Sequence, residues 1–178
     1  MPLIKFGHLD FGENKVQEAE DKWTKLKKDY KNINLHMVGK LQSNKVKQAV
    51  NLFDYIHSLD SIKLAKKIST EQNNLNKNIK LFIQINIGNE DQKSGIKIEE
   101  LPSFYNTCVH KLNLNIIGLM CLPPIQKDPT EYFKQMNNEA KNLLLKELSM
   151  GMSSDYLKAI ECGASYIRIG SKIFGNRS

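Results

Sequence analysis

Seven short apolar runs alternate with amphipathic stretches along this chain, and that alternation constrains its fold more than any other feature. The runs are LDFGEN (9–14), LHMVGKL (35–41), YIHSLD (55–60), LFIQINI (81–87), NIIGLMCL (115–122), ELSMG (147–151) and YIRIG (166–170). Between them lie stretches at about 15–29, 44–52, 61–72, 98–111, 130–145 and 154–162. Leu64, Ala65 and Ile68 stand at helical spacing in one; Tyr156, Leu157, Ala159 and Ile160 crowd another. Strand-helix alternation predicts βαβ units and a parallel sheet. LFIQINI and NIIGLMCL are nearly apolar on both faces, as parallel strands covered on both sides must be. No Pro/Gly-rich linker interrupts the pattern, so one domain is expected over residues 1–178. Seven units are one short of a complete (β/α)8 barrel. No GxGxxG follows an early strand, as a dinucleotide-binding sheet would show. On spacing alone, an α/β TIM-type barrel lacking its first strand and helix and an open doubly wound sheet both remain open.

Composition narrows the class. With 178 residues, 40% hydrophobic and 25% charged, the chain has enough material for a real core and is not collagen-like, disulfide-stapled or low-complexity. No run of 18 or more apolar residues predicts a membrane span, and MPLIKFGHLDFGENK lacks the pattern of a secretory leader. Three scattered cysteines, Cys108, Cys121 and Cys162, fit reduced thiols and a cytoplasmic location better than disulfides or a zinc site. The net charge of +7 invites a nucleic-acid reading. Of the 26 basic residues, however, only Arg168 and Arg177 are arginine, and the lysines spread along helical segments such as DKWTKLKKDYKN. Nucleic-acid surfaces favour arginine forks and aromatic platforms, so neither a nucleic-acid nor a membrane partner is expected.

Polar and glycine clusters close every strand: FGEN (11–14), GKLQSNK (39–45), HSLD (57–60), QINIGNEDQKSG (84–95), GLMCLPP (118–124), SMGMSSD (149–155) and RIGSKIFGNR (168–177). Each alone is ordinary turn and cap chemistry. Together they line the carboxyl ends of the strands, where parallel α/β folds place their ligands. The last two clusters say most. Ser153 or Ser154 can cap the helix after the sixth strand, and a helix start offers free amides to an anion. At Gly170-Ser171 a bare glycine lets backbone amides approach a phosphate. Arg168, two residues before Gly170, shares its strand face; pointing inward, it must have a partner because it cannot shed its charge.

The segments FGENKVQEAEDKW, LHMVGKLQSNKVK, IHSLDSIKLAKKI, QINIGNEDQKSGI, IIGLMCLPP and LSMGMSSDYLKAIECGASYIRIGSKIFGNR, in that order, resemble the pyridoxal phosphate homeostasis family. That family is similar to the N-terminal barrel of alanine racemase, and the resemblance spans residues from about 7 to 177. It implies a (β/α)8 barrel and a pyridoxal 5'-phosphate cofactor. It implies a phosphate held around Ser153, Gly170 and Ser171, a pocket wall at Met150 and Gly151, and an arginine, Arg168, facing the pyridine nitrogen. Asn14 and His36 match positions near the ring. A permanent cation beside that nitrogen discourages its protonation and weakens the ring as an electron sink, which suits holding the cofactor more than amino-acid chemistry.

In the family the cofactor forms a Schiff base with a lysine of a Val-Ser-Lys-like motif at the end of the first strand. No such motif occurs here, and Lys5 falls in what resembles the first helix. Against the family pattern roughly forty residues are expected to be missing at the start. The expectation is therefore a non-enzymatic cofactor binder in intracellular homeostasis, holding pyridoxal phosphate non-covalently or through a substitute amine such as Lys45 or Lys93. The alternative for both lysines is solvation, or pairing with acids such as Glu90. PLP-dependent enzymes are the expected recipients. A decayed or mis-started copy is the competing reading, and an amino-acid racemase a remote one, for want of the lysine and a second base.

Overall fold

The computed structural model describes residues 2–175, and every apolar run becomes a strand. These are β1 (Asp10–Glu13), β2 (Asn34–Met37), β3 (Tyr55–Leu59), β4 (Lys80–Ile85), β5 (Asn115–Cys121), β6 (Glu147–Met152) and β7 (Tyr166–Arg168). All but β6 are shorter than the runs that encode them, because glycines and polar residues at the carboxyl ends leave the ladder for loops. Eight helices accompany them: α1 (Pro2–Lys5), α2 (Val16–Asp29), α3 (Val46–Leu52), α4 (Ile62–Leu75), α5 (Leu101–Asn106), α6 (Thr130–Asn142), α7 (Tyr156–Glu161) and α8 (Ser171–Phe174). The 98–111 stretch is not one regular helix: a 3-10 turn at Ile98–Glu100 leads into α5, and a π turn at Thr107–Lys111 follows. Helix α4 shows the local logic. The Ser61 hydroxyl accepts the Leu64 N–H at 3.3 Å to start it, and Asn76, at φ 48°, turns left-handed to end it.

All neighbouring strands pair in parallel, in the order β1-β2-β3-β4-β5-β6-β7. A doubly wound sheet would reverse direction partway. This one does not, which selects the barrel alternative. Alternate residues decide how it curls. Leu35, Met37, Leu81, Ile83, Ile85, Leu148 and Met150 face the helices and pack in one core with Trp23, Ile68 and Phe133. The opposite face carries Tyr55, Phe82 and Met120, packed with Tyr166. The Tyr166 ring lies 5.8 Å from His36, 5.9 Å from Tyr55 and 5.3 Å from Phe82. Contact between a side chain of β7 and side chains of β2, β3 and β4 closes the sheet around a filled interior. The result is a nearly closed α/β barrel of seven strands, in which β1 and β7 each pair with one neighbour. Cys108, Cys121 and Cys162 are free thiols, and burial pushes the first two up to about 12, so neither is a reactive thiolate.

Candidate functional site at the carboxyl ends of the strands

Strands β6 and β7 end side by side. After Met152 the chain turns, and the Asp155 carboxylate accepts the Met152 N–H at 2.6 Å. Asp155 stands at the N-cap position of α7, which Ser153 or Ser154 was expected to fill, but its side chain makes no capping bond to the helix. Ser153 makes another contact: its hydroxyl accepts the Gly170 N–H at 3.3 Å. Gly170 is exposed at the start of α8, and a Cβ built there would meet no atom within 4 Å. Ser171 follows as the first residue of α8 and is likewise exposed. Asn176 and Arg177 of this cluster lie outside the described residues.

Arg168, the last residue of β7, points inward. It donates from Nη1 to the Ser149 hydroxyl at 2.6 Å and from Nη2 to the Cys121 carbonyl oxygen at 2.8 Å, bridging β5, β6 and β7. Both partners are neutral, and no carboxylate among the described residues forms an ion pair with it. Burial lowers its pKa, opposed by Cys121 and Asp155, yet guanidinium stays charged. A cation without a counter-ion thus lies just inside the carboxyl ends.

Below it runs a polar line. Ser149 Oγ lies 2.8 Å from His57 Nδ1, His57 Nε2 lies 3.0 Å from His36 Nδ1, and His36 Nε2 lies 3.0 Å from Asp10 Oδ1. Ser149 is fully buried, His57 is 1% exposed and His36 4%. Burial holds His57 well below the ordinary histidine range, with the His36 and Arg168 charges adding to it. Burial also lowers His36, partly offset by Asp10. The His36 ring stacks on Tyr55 at 4.2 Å, and Tyr55 opens its strand at the amino end.

The expected site residues separate accordingly. Ser153, Arg168, Gly170 and Ser171 come together at one rim. Gly151 is the penultimate residue of β6, buried against Ala159 of α7, at φ 90°, which an L side chain rarely adopts. Met150 does not offer its side chain to a pocket wall: strand alternation turns it outward, where it is fully buried in the core beneath the helices. His36, the third of the four residues of β2, points into the interior with both ring nitrogens engaged. Asn14 follows β1 at the carboxyl end and is exposed; Gly39 packs so closely on its backbone that a Cβ there would clash. Lys5 ends α1, as the helical reading had it. Lys93 pairs with Glu90 at 2.5 Å and donates to the Pro123 carbonyl at 3.2 Å, and Lys45 donates to Gln17 at 3.2 Å. Sequence reading passed over His57, Ser149, Tyr55 and Asp10. The period-two register carried the signal, since Tyr55 and His57 share one face of β3 and Ser149 is the polar position between Leu148 and Met150.

A family model described as alanine racemase, N-terminal domain, matches residues 2–178. The pyridoxal phosphate homeostasis protein of Synechocystis is 39% identical over 180 residues, covering 96% of this chain and 82% of the relative. That of Aquifex aeolicus is 36% identical over 178 residues, covering 94% and 76%. The solved structure of PipY from Synechococcus elongatus with PLP bound superposes at a TM-score of 0.89 with 34% identity, covering 98% of this chain and 85% of that one. Alanine racemase from Corynebacterium glutamicum, at 15% identity and a TM-score of 0.70, shares the fold.

Proposed function

The chain belongs to the pyridoxal phosphate homeostasis protein family, and on that premise we propose that it binds pyridoxal 5'-phosphate at the carboxyl ends of β5, β6 and β7. Gly170 carries the reading: beside the Ser153 hydroxyl, the space a side chain would fill is open, so an anion can reach the Gly170-Ser171 backbone. Arg168 supplies the second anchor. A fixed cation there suits the pyridine nitrogen of the bound ring and keeps that nitrogen unprotonated. Asn14 and Gly151 complete the rim at the ends of β1 and β6. When bound, the cofactor supplies an aldehyde that amines capture reversibly. The described residues hold it by phosphate and ring: Lys45 and Lys93 are tethered elsewhere, and Lys80 stands at the amino ends with its Nζ 2.9 Å from the Tyr55 hydroxyl.

The function that follows is storage and delivery of the cofactor to PLP-dependent enzymes inside the cell, without catalysis by this chain. The naming of relatives as homeostasis proteins supports it. Calorimetric titration with pyridoxal 5'-phosphate and with unphosphorylated pyridoxal tests the site. The phosphate form is expected to bind more tightly by roughly 1.5–3 kcal/mol per charge-assisted bond; equal affinities overturn the assignment.

A further inference from the structure

We propose that Asp10, His36, His57 and Ser149 form a one-directional hydrogen-bond relay that positions the Arg168 guanidinium, with both histidines held as the neutral Nε2–H tautomer. The direction follows from the two ends. Arginine has donors and no acceptor, so Ser149 Oγ accepts from Arg168 Nη1 at 2.6 Å. Ser149 is fully buried, and its own proton then needs an acceptor, which His57 Nδ1 provides at 2.8 Å. A neutral His57 with a bare Nδ1 carries its proton on Nε2 and donates it to His36 Nδ1 at 3.0 Å. His36, with a bare Nδ1, carries its proton on Nε2 and donates to the Asp10 carboxylate at 3.0 Å.

Starting from Asp10 gives the same answer. A carboxylate 3.0 Å from His36 Nε2 requires a proton on that nitrogen. The reversed chain would set two lone pairs against each other there and leave the buried Ser149 hydroxyl proton without a partner. A cation at the donor end and an anion at the acceptor end polarise every link in the same sense.

The surroundings hold the rings neutral and in place. His57 stacks on Phe82 at 4.2 Å and meets Tyr166 edge-on at 5.8 Å. The charges facing it are Arg168 and, were it protonated, His36; both oppose protonation. His36 is faced by Asp10 and Asp54, which favour a proton, and by Lys80, which does not, and burial outweighs them. Adding a proton at His57 Nδ1 would turn Ser149 from donor to acceptor and place a second cation beside Arg168. The relay therefore fixes two things at the rim: where the guanidinium sits, and that Ser149 offers it a lone pair. Its consequence for cofactor binding rests on the assignment of Arg168 made above; the tautomers do not.

The experiment uses the full chain labelled with nitrogen-15 in its histidine rings. Long-range proton–nitrogen correlation at pH 7 is expected to show His36 and His57 each with a protonated Nε2 and a bare Nδ1, assigned by loss of one set each in His36→Phe and His57→Phe. An Nδ1–H tautomer or an imidazolium at either residue overturns the relay. The positioning role is read from pyridoxal phosphate titration. Ser149→Ala and His57→Phe are expected to weaken binding by about tenfold. Ser149→Thr, which keeps the hydroxyl, and His57→Asn, whose amide oxygen can still accept from Ser149, are expected to stay within about threefold of the parent. Parent-like affinity in both Ser149→Ala and His57→Phe overturns the positioning role. Failure of the parent chain to bind the cofactor overturns the proposed function instead, and the tautomers still decide the relay.

Discussion

The Ser153 hydroxyl accepts the Gly170 N–H at 3.3 Å, joining the ends of β6 and β7 across 17 residues of sequence. The bond brings a half-buried hydroxyl and an unobstructed backbone onto one rim, beside the strand that delivers Arg168. The Asp155 carboxylate closes the turn before α7 through the Met152 N–H, and Ser153 faces β7.

Gly170→Ala separates folding from binding. The new Cβ would meet no atom within 4 Å, and the backbone φ of −120° is one any residue adopts, so stability should change by less than about 1 kcal/mol. The methyl would occupy the approach to the Gly170-Ser171 amides, and pyridoxal phosphate affinity should fall by about tenfold. Thermal melting and calorimetric titration measure the two effects. An alanine variant that binds as well as the parent would place the phosphate elsewhere.

Arg168→Ala should weaken cofactor binding without creating catalytic activity. It should also cost about 1–3 kcal/mol of stability, because the buried Ser149 hydroxyl and the Cys121 carbonyl lose their donor. Arg168→Lys should restore little, since one ammonium cannot reproduce a fork that reaches two strands at once. Urea unfolding and titration of the three proteins test this; unchanged binding in Arg168→Ala would remove the ring-nitrogen role.

The barrel was legible because each strand declares itself as an apolar run and each loop as a polar cluster; the face shared by Arg168 and Gly170 was not, because β7 ends at Arg168 and Gly170 already opens α8. What also escaped was which way single side chains turn. Met150 lies near motif residues in sequence, but strand register sends it outward into the core, while His36 turns inward to bond His57 and Asp10. The His57–Ser149 contact joins residues 92 apart in sequence, and no local pattern announces such a pairing. The start of α7 escaped for a different reason: Ser153 bonds across to the Gly170 N–H and Asp155 back to the Met152 N–H, so neither side chain caps the helix.

Borohydride reduction in the presence of pyridoxal phosphate, followed by peptide mapping, should find neither Lys45 nor Lys93 modified in significant yield. Lys93 is held by Glu90 at 2.5 Å and by the Pro123 carbonyl at 3.2 Å, so capture of an aldehyde would cost it both contacts. Lys45 is held more weakly, by Gln17 at 3.2 Å. Stoichiometric labelling of either lysine would replace non-covalent holding with a substitute amine.

Acid should destabilise the fold before the carboxylates titrate. The folded-state pKa values of His57 and His36 are depressed by burial, whereas the unfolded chain carries histidines near the ordinary value of about 6.5. Below that value the unfolded state binds protons that the folded state refuses, so unfolding becomes easier as pH falls. Each such histidine contributes up to about 1.4 kcal/mol per pH unit until its folded pKa is reached. The effect is absent above about pH 7.5, where both states are neutral. Asp60 acts in the opposite direction, because burial raises its pKa and the folded state binds its proton more readily, but that gain enters only at lower pH, toward the carboxylate range. Urea unfolding at about pH 7.5, 6.5 and 5.5 should therefore show stability falling with pH, and His57→Phe should reduce the slope by about half whatever its effect on stability at neutral pH. A slope that His57→Phe leaves unchanged would mean that His57 takes up its proton equally in the folded barrel and in the unfolded chain.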